Sequence, residues 1–94
     1  EWLLLYYAKP VYATGVRVYQ TLGRGAISSI LLVDVDGAAH MVWEGTDRRE
    51  PCPGILEVTM PPTSYRVVGV RVELNESRTE FWNQIDAVEL LGIP

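Results

Sequence analysis

Apolar and polar positions alternate along much of this chain. Val68, Val70, Val72 and Leu74 fall on one side of the pattern, with Gly69, Arg71 and Glu73 on the other. A period of two sends successive side chains to opposite faces, so the stretch reads as a strand buried on one side. Val16 and Val18 against Arg17 and Tyr19 repeat the pattern. Val, Ile, Tyr, Trp and Thr fill the apolar segments, and Gly, Pro, Asn and Asp punctuate them about every eight to twelve residues, the spacing of an antiparallel sandwich or barrel. No stretch sustains apolar residues at i, i+3, i+4 and i+7 between helix caps. The pattern predicts about seven strands: Trp2 to Tyr7, Ala13 to Thr21, Ala26 to Val35, Ala38 to Glu44, Ile55 to Met60, Tyr65 to Leu74 and Gln84 to Leu91. Leu3, Leu4, Leu5, Tyr6 and Tyr7 in the first show no polar alternation, as if both faces were covered.

The breaks between strands carry their own chemistry. Pro61-Pro62 cannot donate to a ladder and so ends a strand, and Lys9-Pro10 is expected to do the same after the first. Asp34-Val35-Asp36-Gly37 reads as a hairpin turn, since Asp-Gly tolerates the positive φ that tight primed turns demand. If successive strands run antiparallel, the connections at Leu22 to Gly25, Gly45 to Gly54 and Asn75 to Asn83 share one end of the fold. Long loops on a rigid scaffold are where binding residues gather.

Length and charge narrow the function. Ninety-four residues make one domain spanning 1–94, large enough to bury about 60% of its unfolded surface. Eight basic residues against twelve acidic ones give a net charge of −4, which removes nucleic acid as a partner because the basic footprint of a phosphate binder is missing. The longest apolar run, Trp2 to Ala8, is far short of the ~20 residues of a membrane-spanning helix. With Cys52 the only cysteine and His40 the only histidine, an internal disulfide is excluded and no metal or catalytic constellation is evident, so no cofactor is expected.

Four segments together carry a family resemblance. Glu1-Trp2-Leu3-Leu4-Leu5 is followed by Lys9-Pro10-Val11-Tyr12-Ala13-Thr14-Gly15-Val16-Arg17-Val18, then by Gly25-Ala26, and the chain closes with Trp82-Asn83-Gln84-Ile85-Asp86-Ala87-Val88-Glu89-Leu90. This pattern resembles the discoidin-like, galactose-binding-like jelly-roll domains, closest to a bacterial branch related to the domain in some F-box proteins. The resemblance implies an all-β antiparallel β-sandwich of jelly-roll type. It also implies non-catalytic binding of sugars, lipid head groups or proteins through loops at one end. Such domains commonly begin some tens of residues earlier, with a further strand and a loop that often holds calcium. No residues here correspond to that segment, so no calcium ligands carry over.

The candidate ligand-binding residues are Arg24, Asn75, Arg78, Phe81, Trp82 and Asn83. A Trp82 ring would stack on the apolar face of a sugar while Asn75, Arg78 and Asn83 bond its hydroxyls, or else it plugs the end of the core. Arg24, between two glycines, would grip a carboxylate or sulfate, or else it is a solvated turn residue. Asp47-Arg48-Arg49-Glu50 has the look of a solvated loop. Asp34 and Asp36 supply too few oxygens for calcium and read as turn residues. Asp86, inside an apolar strand, reads as an anchor for the adjacent loop. His40 points out of its strand and has no Ser or Cys at a recognisable spacing, which leaves it an ordinary strand histidine.

The sequence therefore predicts a non-catalytic ligand-binding module, with carbohydrate the leading ligand. The alternative is a protein-interaction or oligomerisation module. An open edge at Trp2 to Tyr7 would make the chain a homodimer.

Overall fold

The computed structural model describes residues 2–22, 27–45, 54–74 and 84–94. Six strands run through them: β1 (Trp2–Leu22), β2 (Ile27–Asp34), β3 (Ala39–Glu44), β4 (Gly54–Thr59), β5 (Arg66–Leu74) and β6 (Gln84–Ile93). All pairings are antiparallel and belong to one sheet, which curls into half a barrel.

The strand count is six instead of seven because the two expected at Trp2 to Tyr7 and Ala13 to Thr21 are one strand of 21 residues. Lys9-Pro10 does not end it. The ladder with β5 steps from Tyr6 opposite Gly69 to Val11 opposite Val67, so Pro10 sits in the slack of a register shift where its missing N–H forfeits no ladder bond. Beyond this irregularity β1 exchanges neighbours. Tyr12 lies between Arg66 of β5 and Ile93 of β6, and Gly15 to Gln20 lie between β4 and β6. β5 and β4 therefore share one edge of β1 end to end, while β6 takes the other edge from Tyr12 onward. Residues 60–65 join β4 to β5 and are tied to β1 at Ala13 and Thr14, where its ladder with β6 shifts register. Thr63 Oγ1 accepts the Ala13 N–H at 3.0 Å, and the Met60 N–H bonds the Thr14 carbonyl at 3.0 Å.

The core fills the concave side of the curl. Val16 and Val18 of β1, Ile27, Ile30 and Leu32 of β2, and Val67, Val70 and Val72 of β5 are fully buried, and Val58 of β4 joins them. Leu3, Tyr7, Trp43, Leu56, Val88 and Leu90 pack around this cluster. The alternation expected in β5 holds for Val70 and Val72 but slips one position toward its start, where Val67 is buried rather than Val68. Val33 pairs Gly69 while Asp34 pairs Val67, and this skipped residue moves the phase.

Two further expectations change. The turn after β2 is not primed, since Gly37 is the one residue of the turn with positive φ, at 89°. The Gly37 N–H bonds the Asp34 carbonyl at 3.0 Å and the Asp34 N–H bonds the Ala38 carbonyl at 2.9 Å, a three-residue loop that needs left-handed backbone only at its last position. The opening stretch of β1 is also not covered on both faces. Leu3, Leu5 and Tyr7 face inward, whereas Trp2, Leu4 and Tyr6 are exposed.

Candidate functional site

Directly opposed residues in an antiparallel ladder share a face, so the registers define what the convex side presents. Trp2 stands opposite Glu73, and Glu73 opposite Ser29. In the next row Leu4, Arg71, Leu31 and Met41 follow one another across four strands, and in the third come Tyr6, Gly69, Val33 and Ala39. Trp2 is 58% exposed, Tyr6 68% and Met41 52%, which makes this a largely apolar surface on a rigid sheet. Gly69 has a local reason. A Cβ there would lie 3.0 Å from the Leu5 carbonyl and 3.1 Å from the Tyr6 ring, so the glycine lets Tyr6 lie across the neighbouring strand.

A polar seam crosses the apolar rows. The Arg71 guanidinium lies over the Trp2 ring, 4.2 Å from its centroid, and its Nη2 donates to Glu73 Oε2 at 2.9 Å. The Ser29 hydroxyl donates to Glu73 Oε1 at 2.6 Å. Arg71 Nε is buried and has no hydrogen-bond partner.

Farther along β1 the same face becomes charged. Arg17 lies between Glu57 of β4 and Glu89 of β6, donating through Nε to Glu57 and through Nη1 to Glu89 at 3.3 Å. Tyr19 adds a bond to Glu89 at 3.1 Å. The hydrogen bond and charge of Glu57, then Glu89, hold the Arg17 pKa above its ordinary value.

A third cluster closes the β2–β3 hairpin. Asp34 Oδ2 lies 2.7 Å from His40 Nε2, and Oδ1 accepts the N–H groups of Asp36 and Ala38 at 2.9 and 3.0 Å. The His40 ring stacks on Tyr65 with centroids 3.8 Å apart. The His40 bond, then the two backbone donors, hold the Asp34 carboxyl below its usual range against a desolvation that opposes them. Burial, followed by the Asp34 charge, pushes the Tyr65 phenol up. His40 lies opposite Leu32 in the ladder and so shares that residue's face, with its side chain 36% exposed. The turn role expected for Asp34 holds, but its pairing with His40 was missed. The available signal was their six-residue spacing around a tight hairpin.

The predicted ligand residues Arg24, Asn75, Arg78, Phe81, Trp82 and Asn83 all lie outside the described residues, as do Asp47, Arg48, Arg49, Glu50 and Cys52. The backbone of Asp86 lies in β6. The strand ends flanking the three long connections fall into two registered sets. Ile27 pairs Leu74, and Ser29 lies between Glu44 and Glu73; Gln20 pairs Gly54, and Leu22 pairs Gln84. Each connection joins one set to the other.

Among the described residues no three His, Cys, Asp or Glu side chains gather as metal ligands, and no helix is long and apolar enough to cross a membrane. Comparison with protein-family models gives no match, and comparison with curated protein sequences gives none either.

Proposed function

We propose that this chain is a non-catalytic binding module whose ligand is another polypeptide, taken up on the outward face and adjoining edge of the first half of β1. The observation that carries the reading is the exposure of Trp2, Leu4 and Tyr6 along five residues of one strand. Contiguous apolar surface of this kind marks a contact site in a folded domain. Extended peptides dock by adding to such an edge, with alternate side chains read on the face. The polar atoms of Asp34 are spent on closing a hairpin, which favours a structural role for the Asp34–His40 pair over catalysis. The fold that goes with this reading is the jelly-roll sandwich of the discoidin-like domains.

The test is a display library of extended hexapeptides probed with the wild-type chain and with Leu4→Lys. Binding that is lost in the variant at unchanged melting temperature supports the reading. Equal binding by both overturns it.

Carbohydrate is the second reading. Trp2 and Tyr6 stand four residues apart on one face, roughly 13 Å at the rise of a strand, beside the polar groups of Arg71 and Glu73. Aromatic surface with a few placed polar groups suits sugar rings as well, and Arg24, Asn75, Arg78, Phe81, Trp82 and Asn83 would extend such a site. A broad glycan array separates the two: a saturable signal abolished by Trp82→Ala or Tyr6→Ala selects sugar.

A further inference from the structure

We infer that two copies of this chain pair antiparallel through the free edge of Trp2–Tyr6, in the register that sets Leu4 of one copy opposite Leu4 of the other. The inference rests on the polypeptide-binding reading above and names the polypeptide. Three observations carry it.

The first is the free edge itself. β5 occupies one edge of β1 over Trp2–Tyr6, and β6 joins the opposite edge only from Tyr12 onward. Among the described residues, no strand pairs the second edge of Trp2–Tyr6. Its unpaired N–H and C=O groups are a template for another strand.

The second is charge. β3, β4 and β6 also end the sheet's pairings, but they carry His40 and Glu44, Glu57, and Asp86 and Glu89 respectively. Two-fold pairing that sets Glu44, Glu57 or Glu89 opposite its own copy brings like charges together, on a chain whose net charge is already −4. Trp2 to Ala8 holds no Asp, Glu, Lys, Arg or His. Pairing through Trp2–Tyr6 carries no such penalty in any register, and one self-complementary patch satisfies both copies at once.

The third is register. Only pairings whose residue numbers sum to an even value keep outward residues beside outward ones. β1 runs in unbroken register with β5 from Trp2 to Tyr6 and departs from it after Tyr6, so the centre of the regular stretch is Leu4. Pairing about Leu4 sets Trp2 against Tyr6 and Leu4 against Leu4 on the convex face, with Leu3 against Leu5 on the concave one. Every cross-strand pair is then aromatic on aromatic or leucine on leucine.

The experiment uses the full chain, with Cys52→Ser as background for cysteine variants. Light scattering across a concentration series should show mass rising toward twice the 10.5 kDa of one chain. Leu4→Cys should oxidise to a disulfide-linked dimer, since directly opposed residues bring their Cβ atoms within bridging distance. Trp2→Cys and Tyr6→Cys should cross-link when mixed and not separately. Leu4→Lys should weaken self-association by about tenfold or more, and Tyr6→Lys, at a more exposed position, provides the same measurement should the first variant fold poorly. A monodisperse 10.5 kDa species at high micromolar concentration overturns the inference. So does cross-linking through Leu5→Cys in place of Leu4→Cys, or a dimer indifferent to both lysines. A monomer that still takes up hexapeptides through Leu4 overturns self-pairing alone and leaves the proposed function standing.

Discussion

The Tyr7 hydroxyl donates to the Val88 carbonyl at 2.8 Å, joining residues 81 positions apart in sequence. Tyr7 stands where β1 leaves its first register with β5, and Val88 belongs to β6, which pairs only the second half of β1. The bond therefore spans the curl from one half of β1 to the neighbour of the other. Burial pushes the Tyr7 phenol up, so it stays a donor throughout the ordinary pH range.

Tyr7→Phe should lower stability by about 0.5–1.5 kcal/mol, because it removes one bond to a partly enclosed carbonyl and little packing. Denaturant titration measures this as a shift in midpoint at unchanged slope. Tyr7→Ala should cost distinctly more, since the ring packs against the core cluster.

Gly92→Ala should cost roughly 1–3 kcal/mol. A Cβ at this position would lie 2.6 Å from both the Tyr12 carbonyl and Val11 Cγ2, and the carbonyl belongs to a paired strand that cannot step aside. Gly37→Ala is a useful contrast: its Cβ meets nothing within 4 Å, so any loss there reports the positive φ alone. Thermal unfolding of the pair separates crowding from backbone strain.

The Asp34 carboxyl gives stability an acid limb. Its folded pKa is depressed by His40 first and by the Ala38 and Asp36 donors, so the folded state binds its proton less readily than the unfolded chain does. The contribution is fully present above the ordinary aspartate value of roughly 4 and is lost as pH falls through the lower folded value. The melting temperature should fall over that window, and Asp34→Asn should flatten the fall. A wild-type profile unchanged by the substitution would show that other carboxylates set the acid limb.

Leu32→Ala should cost about 2–5 kcal/mol, since the side chain is fully buried between β3 and β5. Met41→Ala, one row over on the convex face, should stay within about 0.5 kcal/mol. Both are read from equilibrium unfolding, and the difference between them tests which side of the sheet holds the core.

The alternation of Val70 and Val72 with Arg71 marked a one-sided strand, and it is one. The same reading could not find the skipped residue that buries Val67, because a bulge depends on the partner strand and leaves no trace in local periodicity. Pro10 was misleading for a related reason. A proline rules out a ladder bond at its own nitrogen, which does not prevent the strand from continuing where the ladder has already slipped. The run from Leu3 to Tyr7 suggested cover on both faces, yet the structure covers one, and the surplus apolar side chains are the surface proposed here for binding. Asp34 and His40 were each legible as single residues. Their contact required the loop geometry that sets them six residues apart around a turn.

The sharing of β1 between two sets of neighbours bears on the order in which the chain is made. Trp2–Tyr6 is synthesised before its partner in β5, which follows 63 to 71 residues later (Tyr6 to Gly69, Trp2 to Glu73), and β6 comes later still. At a synthesis rate of about 5–20 residues per second the delay is roughly 3–14 s. During that time the most apolar stretch of the chain has neither edge paired. Chaperone dependence during translation should accordingly concentrate on this segment, and a charge at Leu4 should raise the yield of nascent chains that reach the folded state.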